Sequence, residues 1–562
     1  MSFPRKLQIL IVEDDPVVID GYRKLLDELR PDFPHSPPTV VASLAAAREA
    51  VAQPRPYHVV ILDMNLPFES RTTAAEGVNP GELLIDLLAA RDAYPVPVLL
   101  VVSGKLGLID LGPVGERLRR DFWHGELVNK GPGQGRAIRA GLDKALQYCD
   151  VGIHLQDGGR RYLLPLSPRE DDMLRRCVLA HDHCLGVDLE WWAAEEGPTV
   201  SHPDPNAGPT KVLMGTFLVD DGVGPSGPRF FKFEPAGNAP YTARGVGIFA
   251  QKLPHVTRGH TGVSRDRSLL VTPSATGNRP VSLGTFLAGN PSAVQSVVPM
   301  LVRDIVEQLD RLCHPSDQQR PAGRAILWSY LHEERYYSLI RRYWDAGDVR
   351  DLFKTGHANP IELMDRLREN TNLIWVRERT CTHGDLNVTN IAIDPSADGR
   401  PRAFVIDPGG VTAELDLRDL AYLEVTTLLF YSTGEEHRLV LDCRGYYESD
   451  LRADGVEPQA GATAFVRNAM ALVQAIRKHA AGCPDARFYP ALVFDAALRQ
   501  LLGLAIQPKR NKVLHPLHAR YLASWAGDWA SKMVPEAFGE RPASVVGMPN
   551  TAGGRHESTP TG

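Results

Sequence analysis

Five short, almost wholly apolar runs punctuate the first 150 residues: Leu7–Val12 (LQILIV), Thr39–Ser43 (TVVAS), His58–Leu62 (HVVIL), Val96–Val102 (VPVLLVV) and Gly125–Val128 (GELV). Helical stretches such as Pro16–Leu29 and Gly81–Ala90 separate them. A strand with one wet face alternates apolar and polar residues, whereas a strand that is apolar throughout must be covered on both faces. Such strands alternating with helices predict a five-stranded parallel sheet between two helix layers. In sheets of this kind the working site lies beyond the carboxyl ends of the strands.

The residues at those ends are chemically pointed. The first strand ends in Glu13-Asp14-Asp15, the third in Asp63, the fourth in Ser103 and the fifth in Lys130. Carboxylates converging on one sheet edge repel one another and persist when a hard cation such as Mg²⁺ neutralises them. A lysine and a hydroxyl beside them suit the oxygens of a phosphoryl group. Over about residues 5–148 this layout resembles the receiver domain of bacterial response regulators, an α/β flavodoxin-like fold. The resemblance implies that Asp63 is the phosphorylated aspartate, with Glu13 and Asp14 as the Mg²⁺-binding acidic pair. It makes Ser103 and Lys130 the switch hydroxyl and lysine. Three departures stand out: a long stretch after Asp63 (FESRTTAAEGVNPGE), a displaced proline in Lys130-Gly131-Pro132, and Leu127 where the family has an aromatic switch residue. The alternative is a flavodoxin-like domain with incidental acids.

At 562 residues, the chain has room for about three or four domains, or two with one large. Hydrophobic residues make up 43% and charged residues 23%, which argues against disorder of the whole chain. Lys plus Arg number 62 against 68 Asp plus Glu, a formal charge of −6, which disfavours a broad nucleic-acid surface. The longest apolar runs fall short of a membrane span. The first apolar run meets Glu13, Asp14 and Asp15 at once, unlike a secretion signal. Seven scattered cysteines without C-x-x-C predict reduced thiols and a cytoplasmic protein.

Residues 151–186 read as a linker with a short helix. Leu166-Ser167-Pro168-Arg169-Glu170 is similar to the opening of a helix-turn-helix output domain, but it is also simply a capped helix start, and no second recognition helix follows. Cys177, His181, His183 and Cys184 are ligand types crowded together. Structural zinc sites normally use two separated pairs, so packed or exposed residues are the better reading.

From about residue 187 to 290 the pattern predicts a strand-rich lobe, with Asp188–Glu196, Lys211–Asp220 and Arg229–Glu234 as strands. From 291 to 546 it predicts a helical lobe. Val294, Val297, Val298, Leu301, Val302, Ile305, Leu309 and Leu312 recur at helical spacing, with Pro299 as a kink. The motif that carries most chemistry is His383-Gly384-Asp385-Leu386-Asn387-Val388-Thr389-Asn390, followed across a hairpin by Phe404–Gly409 (FVIDPG). Phosphoryl transfer needs such a set: a carboxylate to take the acceptor's proton, and an amide oxygen with a second carboxylate to hold Mg²⁺ against nucleotide phosphates.

This half resembles the aminoglycoside phosphotransferase and choline kinase-like branch of the protein kinase superfamily, over roughly residues 187–535. The resemblance implies an α+β bilobal kinase-like domain that binds ATP and Mg²⁺. By it Asp385 is the catalytic base, Asn390 and Asp407 bind Mg²⁺, His383 braces the loop and Asp419 anchors the core. Lys232 is the candidate for the nucleotide-phosphate lysine, although a lone strand lysine is more often solvated. Gly222, Gly224 and Gly227 end only five residues before Lys232 and read as a strand-to-strand turn, which puts the covering loop near Asn206–Thr210. Kinases pair this lysine with a glutamate on the following helix, yet Pro235–Arg265 contains no Asp or Glu. Between a hinge near Leu269–Leu287 and the catalytic loop, Trp328, Tyr330, Tyr336, Tyr337, Tyr343 and Trp344 lie among Arg335, Arg341 and Arg342. That segment is either an acceptor site or core packing with a charged outer face. Residues 547–562 read as a disordered tail.

The whole reads as a bacterial-type two-component signalling protein in which the receiver regulates a phosphotransferase. The expected partners are a cognate histidine kinase or phosphotransfer protein and an unknown phosphoryl acceptor or protein. A catalytically weak scaffold that binds nucleotide or partners is the alternative. A DNA-binding regulator would rest on the LSPRE segment alone.

Overall fold

A computed structural model describes residues 6–53, 56–67, 79–91, 94–104, 111–156, 166–192, 210–219, 227–253, 255–256, 260–263, 267–274, 279–289, 291–312, 315–321, 331, 333–346, 359–369, 375–379, 381–395, 400–407, 414–430, 463–506 and 516–538. The stretch 68–78 after Asp63, the loop at 206–209, Gly222 and Gly224, Trp328 and Tyr330, and the tail 547–562 lie outside these residues.

The apolar runs form β1 (Ile9–Val12), β2 (Thr39–Val41), β3 (Val59–Asp63), β4 (Val98–Ser103) and β5 (His124–Asn129), all parallel in the order β2-β1-β3-β4-β5. Between them run α1 (Pro16–Leu29), α2 (Leu44–Ala52), α3 (Pro80–Ala89) and α4 (Leu111–Asp121), and α5 (Gln134–Asp150) follows. The order is that of a flavodoxin-like fold. Alternate residues feed two cores, as a period of two requires. Leu10, Val12, Val60, Leu62, Leu99 and Val101 pack against α2, α3 and α4. Ile9, Ile11, Val59, Ile61, Leu100 and Val102 pack against α1 and α5. Asp15 caps α1 by accepting the Val17 N–H, with Pro16 at the first helical position. Gly125 lets β5 lie close to α4, where a Cβ would stand 2.6 Å from the Leu118 carbonyl.

A second sheet of six strands has the order β10-β11-β9-β8-β7-β6. Its members are β6 (Gly152–Gln156), β7 (Cys184–Trp191), β8 (Lys211–Val219), β9 (Arg229–Pro235), β10 (His260–Val263) and β11 (Arg267–Pro273). The segment expected as a linker is therefore part of this sheet. Gly152–Gln156 is an edge strand parallel to β7, and Gly186 admits it, since a Cβ there would meet the Gly152 carbonyl at 2.2 Å. The strand expected from Asp188 starts at Cys184, because buried Cys184 and Val187 extend the core face backward.

Helix α6 (Pro168–Leu179) opens with a complete capping box between Ser167 and Glu170 and leads into β7, with no second helix. Cys177 and Cys184 are buried in the core beneath the sheet, and burial pushes the Cys177 thiol up to about 12. His181 accepts or donates within its own turn, at 2.9 Å from the Cys177 carbonyl, and packs on Phe217. These are packed residues.

Helix α6 also joins the two sheets. Its arginines cap the carboxyl ends of three helices of the first domain. Arg169 donates to the Ala89 carbonyl at 2.8 Å, Arg176 to Asp121 at 2.9 Å, and Arg175 to Tyr148 at 3.1 Å and Val151 at 2.8 Å. Helix carboxyl ends carry partial negative charge, so cations belong there. On the other side, Glu170 accepts from Lys211 of β8 at 2.6 Å and from Arg267 of β11.

Helix α7 (Ala239–Lys252) follows β9. The segment expected as a hinge contributes β11, β12 (Val281–Ser282) and α8 (Leu283–Leu287). Beyond it lie the long α9 (Pro291–Leu312), which continues through Pro299, then α10 (Glu334–Asp345), α11 (Pro360–Glu369), α12 (Arg418–Phe430), α13 (Ala464–Ala481), α14 (Tyr489–Ile506) and α15 (Pro516–Met533). They share one apolar core. Tyr337 of α10 joins that core, while Arg341 and Arg368 lie over its ring. β15 (Ile391–Asp394) and β16 (Arg402–Val405) form the expected hairpin and pair with β12. The sheet of β13 (Pro315–Pro321), β14 (Trp375–Arg379) and β17 (Glu414–Leu415) carries no apolar alternation that would announce it. One stretch among the described residues, Ala486–Ile506, has the length and composition of a membrane span, and 78% of it is buried within the fold.

Candidate functional site

Two polar centres emerge, one at the carboxyl edge of the first sheet and one between the second sheet and the helices. In the first, β1 delivers Glu13 and Asp14 and β3 delivers Asp63. Each offers a carboxylate oxygen, all within 4.8 Å of one another. Glu13 and Asp63 are buried and Asp14 is exposed. The Lys130 ammonium, just past β5, donates to Glu13 Oε2 and to Asp63 Oδ2, each at 2.9 Å. Burial raises the Glu13 pKa and nearby Asp63 adds to the rise, against the pull of Lys130. Burial also works against the Lys130 charge, but its two carboxylate partners outweigh that and hold its pKa above the ordinary lysine value.

Three carboxylate oxygens, one facing solvent, form a donor set suited to a hard divalent cation. Ser103 is buried at the end of β4 and accepts from Asn65 Nδ2 at 3.4 Å. Asn65 also donates its backbone N–H to Asp63 Oδ1 at 3.2 Å, so it touches both the acid and the hydroxyl. Sequence reasoning missed it. Its only signal was a polar residue two places after Asp63.

The second centre is built on the loop before β15. Asp419, at the start of α12, accepts the His383 N–H at 2.7 Å and the Gly384 N–H at 3.0 Å. Gly384 has φ +77, a conformation open to glycine at little cost. His383 Nε2 donates to the Ile406 carbonyl at 2.8 Å, and its Nδ1 accepts the Asp385 N–H at 3.3 Å, which ties the loop to the end of β16. Asn387 Oδ1 caps the turn by accepting from the Thr389 and Asn390 amides at 2.9 and 3.2 Å. Asn390 Nδ2 reaches back to the Asp385 carbonyl at 2.7 Å. The Ile406 N–H donates to the Asn390 carbonyl at 2.9 Å, which sets Asp407 beside this loop.

Asp407 has φ +51, rare for a residue with a side chain, and such outliers cluster at functional positions. Its Oδ1 accepts from Lys232 of β9 at 2.7 Å. Lys232 also lies 3.4 Å from Glu234 Oε2. The lysine is therefore buried and doubly paired, where a solvated surface position was the competing expectation. Burial opposes its charge, and Asp407 and Glu234 overcome that and raise its pKa.

Asp385 is buried, and its pKa is raised chiefly by burial, against Arg499. Arg499 of α14 donates to the Gly384 carbonyl at 2.8 Å, lies 3.4 Å from Asp385 Oδ1, and stacks over Tyr422 at 4.1 Å. The hairpin thus brings Asp407 next to the loop that carries Asn390. Trp192, just past β7, donates its indole N–H to the Thr389 carbonyl at 2.8 Å and meets Phe230 edge-on at 4.8 Å. With Met214 and Ala392 these rings fill the apolar space between sheet and hairpin. Glu234, Arg499 and Trp192 lie far from the motif in sequence and carried no sign of belonging to it. Compared with models of known protein families and with curated proteins, the chain matches none.

Proposed function

We propose that this chain is a two-component signalling protein in which a phosphorylatable receiver regulates a kinase-like phosphotransferase. The observation that carries the reading is the convergence of Lys232, Asp385, Asn390 and Asp407 from three separate segments. In this reading Asp385 takes the proton of the acceptor hydroxyl. Lys232 meets nucleotide phosphates, and Asn390 with Asp407 would hold Mg²⁺, which supplies charge neutralisation of the phosphates when bound. Asp419 and His383 hold the loop that carries Asp385.

The first centre supports the receiver half. Asp63 is the phosphoryl acceptor from a histidine kinase or phosphotransfer protein. Glu13 and Asp14 would hold Mg²⁺ with it, and Lys130 and Ser103 would follow the phosphoryl oxygens. A route between the halves runs through α6, whose arginines grip α3, α4 and α5 while Glu170 grips β8 and β11.

A second reading is a scaffold that binds partners with little catalysis. Trp192 and Phe230 favour it, since with Met214 and Ala392 they pack the space between the second sheet and the hairpin. Calorimetric titration of Mg-ATP into the wild type and Asp407→Ala tests the first reading. Binding that vanishes in the variant establishes the metal–nucleotide cleft the phosphotransferase requires, and turnover of the bound ATP then separates it from a scaffold that only binds nucleotide. A folded wild type that binds no Mg-ATP refutes the phosphotransferase in favour of the scaffold.

A further inference from the structure

We infer that Glu234 is the positioning residue that holds Lys232 for a phosphate-bearing ligand, and that Thr242 holds Glu234 in turn. The inference rests on the phosphotransferase reading of the cleft. It supplies the carboxylate that the helix after β9 cannot, since 235–265 contains no acid.

The strand itself solves the problem. Along β9 the side chains alternate, so Phe230, Lys232 and Glu234 share one face and Phe231 and Phe233 the other. Phe231 and Phe233 enter the core beneath the sheet, whereas Phe230 joins the cluster facing the hairpin. Lys232 and Glu234 are therefore fixed toward the cleft by the same register that buries the two phenylalanines. A carboxylate two residues along the strand reaches the ammonium at 3.4 Å.

The two partners of Lys232 differ in kind. Asp407 lies beside the catalytic loop with its side chain 23% exposed. It is one of the oxygens that would turn toward a metal. Glu234 is 3% exposed at its side chain and is pinned. The Thr242 hydroxyl of α7 donates to the same Oε2 at 2.8 Å, and the Glu234 carbonyl accepts from the Ser268 hydroxyl of β11 at 3.4 Å. When phosphates and cation compete for Asp407 and Lys232, Glu234 is the partner that stays. It keeps the buried ammonium aimed into the cleft, because its own carboxylate is fixed by Thr242. Helix α7 contributes a hydroxyl in its first turn where a glutamate was expected, and so still senses the position of the lysine.

The test is calorimetry on the full-length chain with Mg-ATP and, as the phosphate-free control, adenosine. Glu234→Gln is expected to weaken Mg-ATP about tenfold, the size of loss typical when a supporting partner is removed, and to leave adenosine unchanged. Thr242→Val is expected to act in the same direction and less. Moving the carboxylate to the helix, in Glu234→Gln/Thr242→Glu, should recover part of the Mg-ATP affinity, which a residue with a purely structural role would not allow. Unchanged Mg-ATP binding in Glu234→Gln, or equal losses for Mg-ATP and adenosine, overturns the inference alone. A wild type that binds no Mg-ATP overturns the phosphotransferase reading, and this inference with it. Should Glu234→Gln fail to fold, Thr242→Val decides: an unchanged ratio of the two affinities overturns the inference.

Discussion

Replacing Glu170 by Gln tests whether α6 is the joint between the two sheets. Glu170 Oε2 accepts from Lys211 at 2.6 Å and from the Ser167 N–H at 2.8 Å, while Oε1 accepts from Arg267. The carboxylate is 1% exposed, and the Lys211 and Arg267 side chains 8% and 11%. Gln at this position keeps the reach back to Ser167, so the helix cap survives and only the charge is lost. Removing one partner of a buried ion pair costs about 3–5 kcal/mol. Both cations make further contacts, so the lower end, about 3 kcal/mol, is expected. Glu170→Ala should cost about 1 kcal/mol more, the worth of the cap.

The assay is hydrogen exchange of the β8 and β11 amides, which reads the opening of this sheet directly. Acid provides a second arm. Burial would raise the Glu170 pKa, but the bonds from Lys211 and Arg267 outweigh it and hold it below the usual carboxylate range. A carboxyl depressed on folding gives stability that is fully present above its unfolded value, about 4.3, and lost as pH falls through the folded value. Wild type should lose this share on acidification and Glu170→Gln should not. An opening free energy for Glu170→Gln within about 1 kcal/mol of wild type would refute the joint as described.

Two further outcomes follow from the centres. With a small-molecule phosphodonor and Mg²⁺, Asp63→Asn should lose the acyl phosphate that wild type acquires, measured by phosphate-affinity electrophoresis; label retained in the variant would move the acceptor to another carboxylate. Arg499 holds the Asp385 pKa down against burial, so on the phosphotransferase reading Arg499→Ala should shift the acidic limb of the rate–pH profile to higher pH, and a limb that stays or moves down would remove Arg499 from the environment of Asp385.

Much of the first domain is legible from residue order. Apolar runs that leave no polar face demand a parallel sheet, and the acids directly after β1 and β3 must then share an edge. The loop around Asp385 is legible for a similar reason. Its glycine, capping Asn387 and following hairpin are local features, and Asp419 lies at the start of the next helix. Within 151–186 the capped helix Pro168–Leu179 is legible from its own residues, whereas the strand Gly152–Gln156 is not, because it forms only by pairing with β7.

Strand periods, caps and the order of chemical groups are written into residue order, because these depend on neighbours within a few residues. Tertiary structure alone decided that Lys232 meets Asp407 across 175 residues, that Arg499 leans on Asp385 from 114 residues away, and that Trp192 reaches Thr389 across 197. Those contacts depend on how the sheet seats against the helices. Side chains meet there only once both surfaces are packed, and no local propensity encodes the meeting.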